Sequence, residues 1–168
     1  MRPIVPGAAA LFGMVLLSGC QLQPLYGGGV GGPVQSTLAA VEVAPIEGQA
    51  GWLVGNALRD RLEMGKGIAP RYRLEVRLDD QIAGLGVRRD DSVTRERRTL
   101  RARYQLVEIS TGTVVLDATA GSDAGIDVVG SEYATIAAER SALERLSGIV
   151  ADQIVARVAR FAQSQVAR

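Results

Sequence analysis

Histidine is absent from this 168-residue chain, cysteine occurs once, at Cys20, and lysine once, at Lys66. Without an imidazole the commonest general base and zinc ligand is missing, and a single thiol cannot close an intramolecular disulfide. Most routes to nucleophilic catalysis and to zinc binding are thereby removed. The serines and threonines have no histidine base, and no Ser-x-x-Lys nucleophile motif occurs. The adjacent carboxylates Asp79 and Asp80, and Asp90 and Asp91, have neither calcium-loop spacing nor a partner to poise one as an acid, and they read as turn chemistry. The expectation is a protein that is not an enzyme and needs neither metal nor cofactor. Charge of one sign is lacking too: 19 basic residues stand against 18 acidic ones. Global electrostatics therefore give no argument for a nucleic-acid partner.

A long hydrophobic run is also missing. Met1 to Gly19 carries Arg2 as its only charge, followed by apolar or small residues from Ile4 to Leu17. That stretch is too short for an ordinary membrane span and has the form of a signal-peptide core. It ends in Leu17-Ser18-Gly19-Cys20, the pattern of a bacterial lipoprotein processing site. The residue types suit the chemistry: the thiol is alkylated by a diacylglyceryl group, small Ser18 and Gly19 admit a peptidase to the backbone before Cys20, and the new amine can be acylated, with palmitate a typical chain. At about 0.8 kcal/mol per buried methylene, two or three chains anchor a protein stably where one would not. Residues 1–19 are thus expected to be removed and Cys20 to be the lipid attachment point. In the lipoproteins this resembles, an aspartate after the cysteine commonly retains the protein in the inner membrane; Gln21 points instead to the outer membrane, facing the periplasm.

Residues 20–37 read as lipidated cysteine plus tether, since Gly27–Gly29 and Gly31–Gly32 are flexible. These glycines lack the Lys-Ser/Thr and the preceding strand of a phosphate loop. Residues 38–168 are expected to form one domain, opening with a strand over Leu38–Ile46 that Pro45 ends. From Trp52 to Met64 apolar residues recur at three and four positions, predicting a helix stopped by Gly65 and Gly67, with Trp52 packed on a sheet. Arg71 to Ala83 alternates, with Tyr72, Leu74, Val76 and Leu78 on one side and Arg73, Glu75 and Arg77 on the other. Val93–Ile109 and Thr113–Ala120 alternate likewise around a hairpin turn at Ser110–Gly112. From Ser131 to about Gln163 a helical stripe runs through Tyr133, Ile136, Ala137, Leu143, Leu146, Val150, Ile154, Val158 and Phe161, and Ser147 with Gly148 is expected to bend it. The predicted fold is an α+β two-layer sandwich, two helices on a four-stranded, mostly antiparallel sheet whose other face is polar and open.

Arginine is dense where the rest of the chain is balanced. Arg88, Arg89, Arg95, Arg97, Arg98, Arg101 and Arg103 stand against Asp90, Asp91 and Glu96, a local surplus of four. Guanidinium forks bind phosphate and carboxylate through paired hydrogen bonds. Arg95, Arg97, Arg101 and Arg103 share parity and should project from one face, with Arg98 on the other.

Leu17-Ser18-Gly19-Cys20, followed by Pro24-Leu25-Tyr26-Gly27, resembles the Gly-Cys-x-x-x-Pro-Leu-Tyr-Gly opening of the lipopolysaccharide-assembly lipoprotein family LptE in its alphaproteobacterial form. The element order and a long C-terminal helix containing Ala138-Glu139-Arg140-Ser141-Ala142 agree. The resemblance implies a non-enzymatic partner of LptD, the outer-membrane β-barrel that inserts lipopolysaccharide, acting as plug, assembly aid and lipopolysaccharide-contacting subunit. Arg88, Arg89, Arg95, Arg97 and Arg98 are the lipopolysaccharide-binding candidates, chosen from local charge. Two other readings stay open: an auxiliary lipoprotein of an ABC-type lipid transporter, which would track with inner-membrane components, and a lipidated periplasmic enzyme working without histidine.

Overall fold

Alternating sequence builds the sheet. In the computed structural model, which describes residues 32–62, 68–87, 93–128 and 130–166, three long strands run as an antiparallel meander. They are β2 (Tyr72–Val87), β3 (Val93–Glu108) and β4 (Thr113–Asp127). Leu74 lies opposite Leu106, Val76 opposite Tyr104 and Leu78 opposite Ala102, so the apolar sets of β2 and β3 share one face. Tyr72, Leu74, Leu100, Ala102, Tyr104 and Leu106 are buried there. The β3–β4 hairpin closes as its sequence predicts, with Gly112 at φ +67° and its N–H donating to the Glu108 carbonyl. A register shift at Leu106/Val107 follows in β3–β4. The strand expected to stop at Ala83 continues to Val87.

The fourth strand is the exception to the expected antiparallel pattern. β1 (Val41–Val43) is only three residues long and pairs in parallel with Tyr72–Leu74, so the sheet is mixed, in the order β1-β2-β3-β4. Parallel neighbours need a crossover, here α2 (Gly48–Leu62), which carries the chain back along the sheet. Pro45 offers no N–H to extend β1, and Gly48, at φ +78°, turns the chain into α2. Gly51 fits tightly: a Cβ there would stand 2.5 Å from the Ile46 carbonyl oxygen.

Among the described residues the helix layer holds three helices where two were expected. The additional one, α1 (Pro33–Ala39), occupies part of what reads as tether and strand; Pro33 sits in its first turn, and the Ser36 and Thr37 hydroxyls donate to the Pro33 carbonyl. The long helix α3 (Glu132–Val166) runs unbroken through Ser147–Gly148. Leu143, Leu146, Val150, Ile154 and Val158 form its buried stripe, and α1 and α2 pack against it. The N-terminal members of the expected stripe do not join the core, since Tyr133 is 88% exposed and Ile136 and Ala137 also face out. Trp52 departs from expectation too, at 66% exposed. The face of α2 that meets the core is Ala50, Gly51, Val54, Leu58 and Leu62, and Trp52 stands off it.

Candidate functional site: the arginine face of the sheet

The helices cover Tyr72, Leu74, Val76 and Leu78 of β2 and the even-numbered residues of β3 from Arg98 to Leu106, leaving the odd-numbered ones on an open face. Along β3 that face presents Arg95, Arg97, Thr99, Arg101, Arg103 and Gln105, and β2 adds Arg73 and Arg77. From β4, register brings Asp127 opposite Arg95, Asp123 opposite Thr99 and Asp117 opposite Gln105. The result is a ladder of charge pairs. Arg95 meets Asp127 at 3.1 Å, Arg101 meets Asp123 at 3.1 Å, Arg103 meets Asp117 at 3.2 Å, and Arg73 meets Glu42 of β1 at 3.8 Å.

Hydrogen bonding tunes this ladder. Donation by Arg103 and Gln105 holds the Asp117 carboxyl below its ordinary value, and donation by Thr99 and Arg101 does the same for Asp123. Reciprocally, the bond to Asp117 raises Arg103. Among the described residues, Arg77 and Arg97 have no hydrogen-bonded or ion-paired carboxylate. Arg97 lies between Ala83 on β2 and Gly125 on β4, two small neighbours that leave its guanidinium clear, and it acts on Asp123 only at a distance. Arg77 stands opposite Arg103, like charge to like charge, in a hollow of about 220 Å³ shared with Glu75 and Gln105. Such a surface offers exchangeable guanidinium forks to phosphates and carboxylates.

The five sequence-predicted arginines part company here. Arg88 and Arg89, like Cys20, lie outside the described residues. Arg95 and Arg97 are exposed on the open face. Arg98 projects to the opposite face, where its side chain is 11% exposed: it donates to both Asp80 carboxylate oxygens, at 2.8 and 2.6 Å, and to the Glu139 carbonyl of α3 at 3.0 Å. The bond to Asp80 outweighs desolvation and raises its pKa. Its fork is filled by the protein itself. The residues the local charge count passed over are Arg73 and Arg77, one strand away. Their signal was the alternation of β2, which puts them on the same side as Glu75.

No described helix is long and apolar enough to cross a membrane, and no group of histidine, cysteine or carboxylate residues among the described ones is arranged to hold a metal.

Comparison with solved structures shows the same fold elsewhere. A lipoprotein from Caulobacter crescentus CB15 superposes with a TM-score of 0.64 at 22% identity, covering 77% of this chain and 96% of that one. Lipoprotein B from Nitrosomonas europaea superposes at 0.56 with 14% identity, covering 74% and 88%. No curated protein sequence matches significantly. The family model described as LptE, lipopolysaccharide-assembly, matches residues 38–158.

Proposed function

Because the chain belongs to the LptE family of lipopolysaccharide assembly, we propose that it is a lipid-anchored, non-catalytic subunit of the outer-membrane machinery that delivers lipopolysaccharide. The family match across nearly the whole folded domain is the observation that carries this reading. Residues 1–19 act as the signal, Cys20 bears the acyl chains, and the stretch leading to Pro33 joins the anchor to the α+β domain. The partner is the LptD β-barrel. A polar, pair-laced sheet face suits a polar barrel lumen, because every ion pair on it can exchange one carboxylate for another without burying a bare charge. Arg95 and Arg97 are the arginines of the predicted set that stand on that face and supply forks for lipid phosphates.

Co-purification of the full-length lipoprotein from detergent-solubilised outer membranes is expected to bring down a large β-barrel protein in constant ratio. Recovery without one would remove the barrel partnership. In low salt, the Arg95→Gln/Arg97→Gln variant is expected to bind lipopolysaccharide about ten-fold more weakly, equivalent to about 1.4 kcal/mol. An unchanged titration would remove the phosphate role of these two residues. Arg98 is left intact in that variant because its bonds belong to the fold.

A further inference from the structure

An open sheet has two edges, and each exposes a row of peptide N–H and C=O groups that can pair with another chain. This fold treats its two edges differently. On β4 the outward peptide groups of Gly121 are occupied by the long helix: the Gly121 N–H donates to Gln153 Oε1 at 3.0 Å, and Gln153 Nε2 donates to the Gly121 carbonyl at 3.3 Å. One side-chain amide stands in for the peptide unit of a missing neighbour strand, and α3 lies along that side of the sheet.

The β2 edge has no such cover beyond its first residues. The Tyr72 N–H donates to the Ala40 carbonyl and the Ala44 N–H donates to the Leu74 carbonyl, so the even-numbered residues of β2 aim their peptide groups outward and the odd-numbered ones pair with β3. Register with β3 is uninterrupted along β2. The groups of Val76, Leu78, Asp80 and Ile82 therefore face the same edge, and no described strand runs beside them. β1 would be that strand if it continued, but it ends before Pro45 and the chain leaves for α2. Its departure opens a cavity of about 490 Å³ between Ala44–Glu47 and Glu75–Leu78, at the head of the bare edge. Ile82 is exposed on it.

We propose that the β2 edge from Val76 to Ile82 accepts an extended segment of a protein partner as an added strand, in line beyond β1. Outward groups that recur every second residue, at about 6.8 Å, are matched by a polypeptide backbone and not by a lipid or a sugar. Side chains of the incoming strand would alternate, one set beside Arg77, Asp79 and Gln81 and the other over Leu78 and Ile82. Asp80, pointing inward with Arg98, discourages indiscriminate pairing. It also makes a second copy the poorer occupant, since an antiparallel pair centred on this stretch brings two Asp80 side chains close together. The source of the segment rests on the barrel partnership proposed above: it is a stretch of the barrel chain not committed to the barrel wall.

Amide hydrogen exchange tests this on the full-length lipidated protein in detergent, alone and co-purified with the barrel. The amides of Val76, Leu78, Asp80 and Ile82 are expected to exchange at least ten-fold more slowly in the complex. Equal exchange in a complex that does contain the barrel overturns strand addition and leaves the partnership standing. A preparation with no barrel overturns the partnership, and this proposal with it. Slow exchange of the same amides in the isolated protein, accompanied by a dimer in light scattering, assigns the edge to a second copy and overturns the proposal. Ile82→Pro removes an outward N–H without touching the β2–β3 ladder, and is expected to lower barrel recovery at least ten-fold with an unchanged circular dichroism spectrum. Should that variant misfold, the exchange comparison on the unaltered chain decides alone.

Discussion

Arg97 and Arg98 are adjacent in the chain and do unlike things in the fold. Arg97 faces open solvent between two small residues, whereas Arg98 ties Asp80 and the first turns of α3 to the sheet. Arg98→Ala leaves a partly covered carboxylate without its donor and removes the added bond that ties the Glu139 carbonyl to the sheet, so it is expected to cost about 1–3 kcal/mol in denaturant unfolding and to speed amide exchange over residues 132–140. Arg97→Ala, which removes no bond, is expected to stay within about 0.5 kcal/mol. Local charge density gave the two residues equal standing; strand parity separates them, and parity was readable in the sequence. What could not be read there is the carboxylate supply, because Asp117, Asp123 and Asp127 reach the arginines only through the β3–β4 register. Those carboxylates also make stability depend on pH. Asp117 and Asp123 titrate below their ordinary 3.8 when folded, so above about pH 5 both folded and unfolded chains carry them ionised and their contribution is full. As the pH falls past the ordinary value the unfolded chain takes up protons first, and the contribution shrinks until the depressed folded values are passed. The denaturation midpoint is expected to fall steadily below pH 4, with a shallower fall in Asp117→Asn/Asp123→Asn.

At the scale of the element, legibility follows length. The long helix and most of the three meander strands announce themselves by sustained periodicity, with the hairpin glycine at Gly112 in its expected place, but β4 continues past Ala120 to Asp127 through a glycine-bearing stretch that reads as loop. The short elements do not announce themselves. β1 is three residues long, too few to display an alternation, and α1 is seven, held by Pro33 and two hydroxyls inside a stretch whose composition reads as linker. The strand-helix-strand order permits a parallel pair, but whether β1 joins β2, and in which direction, depends on where the crossover deposits the chain. That crossover depends on a close approach at Gly51, where any Cβ would press on the Ile46 backbone. Because a carbonyl on the preceding turn cannot swing aside as a side chain can, Gly51→Ala is expected to destabilise the protein by about 1–3 kcal/mol in urea unfolding. The equivalent change at Gly125, which has open space around it, should be felt much less. Trp52 and Tyr133 show the limit of periodic reading: each falls near an apolar stripe, but neither reaches the core.

Among the described residues one apolar cluster joins all seven elements except at the helix and strand ends that project beyond it. Residues from α3 run the length of that cluster, from Leu143 to Ala159, facing β3, β4 and both other helices. A chain ending at Gly130 would keep the alternating meander and lose the helix that covers β3 and β4. Such a truncation is expected to show no cooperative thermal transition and to bind a hydrophobic dye, where the full chain melts in one step.

The position of α3 in the chain has a temporal meaning as well. It follows the meander in the chain, so the face it covers is made before it arrives. Until residues 143–159 are present, the meander lacks the helix that covers β3 and β4, and the unguarded β2 edge lies exposed at the same moment. The hazardous interval for this protein is therefore the one between the making of its strands and their closure, when exposed apolar surface and an unpaired strand edge favour association over folding.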